Sequence, residues 1–94
     1  MAWISYPEVT KLGLVNVGSN VFIDSTVKIF GASYISLGSS VRIDANVVLT
    51  AGPGSLIIGS NVHIGVSTSV HAGASDVQLH DFVGLSTGVH IFSA

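Results

Sequence analysis

The stretch Leu37-Gly38-Ser39-Ser40-Val41-Arg42-Ile43-Asp44-Ala45-Asn46-Val47-Val48-Leu49 sets an aliphatic residue at every sixth position: Leu37, Ile43 and Leu49. The same spacing returns upstream as Val17, Ile23 and Ile29, and downstream as Ile58, Ile64, Val70 and then Leu79, Leu85, Ile91. The first members of successive groups lie 20, 21 and 21 residues apart (37−17, 58−37, 79−58), so each unit is three hexapeptides plus a short insertion. A fixed short period marks a repeat architecture in which each coil buries its apolar side against the next.

A second column confirms the register. Four places after the aliphatics stand small or β-branched residues: Val21, Val27, Ser33, then Val41, Val47, then Val62, Thr68, Ala74, then Val83, Val89. Two inward positions per hexapeptide suit a short strand followed by a sharp corner. Gly18, Gly38 and Gly59 with Asn20, Asn46 and Asn61 are the residue types that accept positive φ at such corners. The expected fold is all-β: a single-stranded parallel β-helix of about four triangular coils over residues 13–94. Its rungs are parallel strands about 4.8 Å apart. The third corners, Ala32 to Ser36, Gly52 to Ile57 and Gly73 to Gln78, carry the insertions and should form one rim.

Residues 1–12 fall outside the period and read as an N-terminal cap. Ser5 with Glu8 three places on is a capping-box pattern, with Pro7 in the first turn. Trp3, Ile4 and Tyr6 are expected to turn inward and plug the first coil. Ile91 opens a last hexapeptide that stops at Ala94, so the last coil is expected to be incomplete, covered by end-to-end pairing with another trimer or by a neighbour's N-terminal segment.

Composition narrows the function classes. Of the 94 residues, 48% are hydrophobic and only 9% are charged, against roughly 25% in an ordinary soluble domain. So few charges would solvate a monomer poorly, and much of the surface is expected to be covered by copies of the same chain. Three cations, Lys11, Lys28 and Arg42, form no phosphate-tracking patch, and the net charge is −2, which argues against a nucleic-acid partner. There is no cysteine, hence no disulfide frame or thiolate chemistry. No apolar window of about 18 residues spans a membrane, and no signal-peptide pattern opens the chain, so the expected location is the cytoplasm.

The runs Val17-Gly18-Ser19-Asn20-Val21, Leu37-Gly38-Ser39-Ser40-Val41-Arg42-Ile43-Asp44, Ile58-Gly59-Ser60-Asn61-Val62-His63-Ile64 and Asp81-Phe82-Val83-Gly84-Leu85-Ser86 resemble the N-terminal half of bacterial hexapeptide-repeat O-acetyltransferases that modify sugars. That resemblance, and not the repeat itself, implies a left-handed coil. It further implies a homotrimer with clefts between subunits, acetyl-CoA as acyl donor, a small-molecule acceptor hydroxyl and a histidine general base. In such enzymes the segment corresponding to Ile91–Ala94 runs on into the catalytic loop and into cofactor-binding coils. The chain is therefore expected to be truncated relative to them, with the activity of the isolated chain open.

In the stacked register Phe22, Arg42, His63 and Gly84 form one outward column, and Lys28, Val48, Ser69 and His90 another. His63 and His90 are the candidate catalytic residues; Arg42 and Asp44 are the candidate substrate-binding pair. The competing reading of His63 is a histidine hydrogen-bonded across a subunit interface. Asp24 and Asp44 stack at one corner, where Asx turns are the ordinary use of such carboxylates. His71 and His80 are expected at solvated corners. No metal site is expected, because His63 and His71 belong to different faces. The alternative function is a non-catalytic trimeric β-helix module.

Overall fold

The computed structural model describes residues 1–94 and forms a parallel β-solenoid of three sheets. Each sheet holds four strands, one from each coil. The first face comprises β1 (Asn16–Val17), β4 (Ile35–Leu37), β7 (Leu56–Ile58) and β10 (Val77–Leu79). The second comprises β2 (Val21–Ile23), β5 (Val41–Ile43), β8 (His63–Ile64) and β11 (Gly84–Leu85). The third comprises β3 (Lys28–Phe30), β6 (Val48–Ala51), β9 (Ser69–Ala72) and β12 (His90–Phe92).

The register is the one the six-residue period dictates. Val17 pairs with Leu37, Leu37 with Ile58 and Ile58 with Leu79, so the aliphatics pile in one line along the axis. Ile29, Leu49, Val70 and Ile91 do the same on the third face. Ile43, Leu49, Ile64 and Val70 are completely buried, and each such side chain contributes roughly 1.5–3 kcal/mol through removal from water. The core also takes Ile35 and Leu56, which lie two residues before the repeat aliphatics and belong to strands rather than to the insertion rim. In the second column Ser33 and Ala74 are exposed, because the insertions swing these residues out of the prism.

Asn20, Asn46 and Asn61 have φ of 58°, 61° and 58°, as their place in the corners requires. Gly18, Gly38 and Gly59 serve a different need from the one expected. Their φ is not positive; instead a Cβ on Gly38 would lie 2.7 Å from the Gly59 carbonyl carbon of the next coil. Close stacking of backbones, not turn geometry, demands glycine there.

The capping box is present. Ser5 caps helix α1 (Tyr6–Thr10), with its Oγ accepting from the Glu8 amide and the Glu8 carboxylate accepting from the Ser5 amide. The plug, however, is Val9, fully buried, with Ile4 beside it. Trp3 and Tyr6 stay outside. The Tyr6 hydroxyl donates to the Gly18 carbonyl at 2.7 Å, a bond that burial in the apolar prism would forfeit. No helix is long and apolar enough to cross a membrane.

Candidate functional site

The second face brings Phe22, Arg42, His63 and Gly84 into one outward row, each paired with the next across adjacent strands. Alternation along a strand forces this: Val41 and Ile43 point to the core, so Arg42 between them points out. Asp44 follows β5 at the corner and is buried, its side chain only 4% exposed.

A buried carboxylate needs partners, and Asp44 has two. Its Oδ1 accepts from Arg42 Nε at 2.8 Å, and its Oδ2 lies 2.7 Å from His63 Nε2 one coil further on. Burial raises the Asp44 carboxyl and is the largest single influence, yet the hydrogen bonds and charges of Arg42 and His63 together outweigh it. The group stays below the ordinary carboxylate range. An ionised carboxylate only accepts, so Nε2 of neutral His63 carries the proton and Nδ1 keeps a free lone pair.

The expected Asx turn forms at Asp24 but not at Asp44. Asp24 accepts from the Thr26 amide and hydroxyl and from the Ala2 amide, and these bonds hold its carboxyl low against the opposing effect of burial. The equivalent amide two residues beyond Asp44 is that of Asn46, and it already donates to Thr26 Oγ1 at 2.7 Å. With that donor taken, Asp44 turns to side chains instead. The first-coil hydroxyl therefore frees the second-coil carboxylate for the histidine.

Beside this pair opens a hollow of about 430 Å³ lined by Asp44, His63, Gly65, Val66, Gly84 and neighbours up to Thr87. A Cβ on Gly84, which follows His63 in this row, would meet nothing within 4 Å. On the other side, the Arg42 guanidinium carbon lies 5.8 Å from the Trp3 ring, which meets Phe22 edge-on at 5.9 Å. The Trp3 contact is invisible in the repeat because residue 3 lies outside it.

Of the four candidate residues, Arg42, Asp44 and His63 thus form one connected group. His90 does not join it. It lies on the third face, exposed, with Nδ1 hydrogen-bonded to the Ser69 hydroxyl. His71 sits within β9 rather than at a corner, its ring stacked on Phe92 at 4.7 Å because residues 71 and 92 occupy one outward column. His80 is exposed. A hollow of about 490 Å³ beside it, lined by Ile57, Gly59, Gln78, Leu79, His80 and Asp81, contains no comparable pair: the Asp81 carboxylate there accepts from the Ser60 amide. No group of three or more His, Asp or Glu residues is placed to hold a metal ion.

No protein-family profile matches the chain. Over all 94 residues it is 34% identical to the dTDP-4-amino-4,6-dideoxy-D-glucose acyltransferase of Escherichia coli, of which it spans 48%. The fold superposes on AntD, an N-acyltransferase from Bacillus cereus, with a TM-score of 0.90 at 31% identity. The chain is a homologue of the hexapeptide-repeat sugar N-acyltransferases. That AntD structure, a point mutant bound to dTDP-4-amino-4,6-dideoxyglucose and coenzyme A, is matched over 97% of this chain and 47% of its own length. A second AntD structure, with dTDP and 3-hydroxybutyryl-CoA, matches at 34% identity and a TM-score of 0.84 over 92% of this chain and 45% of AntD. The chain therefore spans about half the length of the relatives it matches.

Proposed function

We propose that this chain supplies the histidine of an N-acyltransferase that moves an acyl group from coenzyme A to the amino group of a nucleotide-linked amino sugar. The observation that carries the reading is the 2.7 Å contact of His63 Nε2 with the buried Asp44 carboxylate at the mouth of an open hollow. The acceptor class comes from the relatives, which act on an amino sugar and not on the hydroxyl that the sequence resemblance implied.

In the reaction the amine lone pair attacks the thioester carbonyl carbon, and the carbon–sulfur bond breaks on collapse. His63 Nδ1 takes the proton that the attacking nitrogen sheds, and the departing thiolate finally receives it. Asp44 holds the ring in the tautomer that exposes Nδ1 and stabilises the imidazolium as it forms. Arg42 keeps the second carboxylate oxygen occupied and has further N–H donors for an anionic group of the acceptor. Acetyl-CoA is the simplest donor; 3-hydroxybutyryl-CoA, the donor bound in AntD, is the second to test. The same reading puts the chain in the cytoplasm.

The assembly proposed is a homotrimer. Phe30, Phe82 and Phe92 are 56%, 79% and 70% exposed on a chain with few charges, and copies of the chain would cover them. Light scattering should return the mass of three chains; the mass of one would overturn this part.

The functional test mixes purified chain with dTDP-4-amino-4,6-dideoxyglucose and either acyl-CoA, and follows thiol release alongside calorimetric binding. Thiol release that falls on the order of a hundredfold or more in His63→Ala is expected. Neither binding nor release, or release indifferent to His63, would overturn the reading.

A further inference from the structure

The N-terminal segment is tied to the first coil by three hydrogen bonds. Two of them form the antiparallel bridge of Trp3 to Asp24, the Ile4 amide donating to the Ile23 carbonyl at 2.9 Å and the Ser25 amide to the Ala2 carbonyl at 2.8 Å; in the third the Ala2 amide donates to Asp24 Oδ1 at 2.8 Å. This anchoring fixes the backbone on both sides of the Trp3 ring. Yet the ring does not serve the core: it is 39% exposed, and Val9 and Ile4 close the prism. Its neighbours are Phe22 and the Arg42 guanidinium.

Arg42 is a long side chain, half exposed, with many rotamers to lose when held in one of them. Its Nε nevertheless donates to Asp44 Oδ1 at 2.8 Å and its Nη2 to Oδ2 at 3.4 Å, and this two-point grip orients the carboxylate whose Oδ2 meets His63. A weakly hydrated guanidinium is attracted to the face of an indole, and the Trp3 ring removes from Arg42 the space its other rotamers would occupy. Three links run in series: ring to guanidinium, guanidinium to carboxylate, carboxylate to imidazole.

We propose that Trp3 is a positioning residue for His63, acting through Arg42 and Asp44, so that the segment outside the repeat sets the orientation of the imidazole. The proposal takes its functional meaning from the role given to His63 above. It assigns Trp3 no contact with substrate. The grip is worth about a two- to fivefold preference for the oriented state, the size of an exposed cation–π contact.

The test is a double-substitution cycle of Trp3→Leu and Arg42→Gln on the full chain, read by the solvent exchange rate of the His63 Nε2–H proton in NMR. Trp3→Leu should speed exchange about two- to fivefold, Trp3→Phe should restore most of the protection, and Trp3→Leu should add nothing in the Arg42→Gln background. An unchanged rate in Trp3→Leu, or an equal increment in both backgrounds, would overturn the proposal. Should Trp3→Leu fail to fold, the unsubstituted chain decides: the Arg42 side-chain protons must show an indole ring-current shift, and its absence overturns the proposal. Because a proton of His63 is read rather than turnover, an inactive chain with a protected His63 counts against the proposed function and not against the role of Trp3.

Discussion

Asp44 and His63 stand 19 residues apart in the chain and 2.7 Å apart in the fold, joined across two neighbouring coils. The contact exists because a coil of about 20 residues returns the backbone one rung higher, which puts residue 63 directly over residue 42 and beside the corner carboxylate. A local pattern, Arg42-Ile43-Asp44, is thereby converted into a long-range pair.

Asp44→Asn keeps the shape but turns the acceptor into an amide that no longer stabilises an imidazolium. Acyl transfer should fall on the order of tenfold to a thousandfold, with the acceptor KM little changed. Because Arg42 and His63 are each about half exposed, solvent screens the lost charge and stability should drop by no more than about 1 kcal/mol. Steady-state kinetics and urea titration check the two halves separately.

Two glycines at different places in the stack should respond oppositely to one added methyl. At Gly38 a Cβ meets the backbone of the next coil at 2.7 Å, so Gly38→Ala must push coils apart and should cost about 1–3 kcal/mol. At Gly84 a Cβ meets nothing, and Gly84→Ala should stay within about 0.5 kcal/mol of the parent. Thermal unfolding of both variants gives the comparison.

Gly84→Leu extends the same vector into the hollow beside His63. The fold should persist, since the added atoms point outward, while acceptor binding measured by calorimetry weakens at least about tenfold. Retained affinity would separate the hollow from the acceptor site.

Low pH should destabilise the chain in a definite window. Asp44 and Asp24 are both held below the ordinary carboxylate range in the folded state. Their contribution is therefore complete above the unfolded value of about 4 and is lost as pH falls through the lower folded values. Melting temperature should be insensitive to carboxylate titration above about pH 5 and decline below about pH 4, and Asp44→Asn should shrink that decline.

Leu49→Ala empties a fully buried position in the axial column between Ile29 and Val70. A loss of about 2–5 kcal/mol is expected, because coils locked by their ladders on both sides cannot collapse into the void. Chemical denaturation measures it.

The order of side chains along each face is legible in the sequence alone. In a parallel stack, residues separated by one coil length must lie above one another, so the spacing of Leu37, Ile43 and Leu49 fixes the row of Arg42, His63 and Gly84 as firmly as it fixes the core. What the period does not supply is the direction in which a side chain reaches. Whether Asp44 caps its own turn or holds His63 depends on Thr26 taking the Asn46 amide from the coil below. Whether Trp3 plugs the prism or lies against Arg42 depends on an isolated bridge to Asp24 made by a segment outside the repeat. Repetition determines backbone position because every rung makes the same hydrogen bonds; orientation is decided by hydrogen-bond and packing partners one coil away or outside the period, which only the tertiary structure brings together.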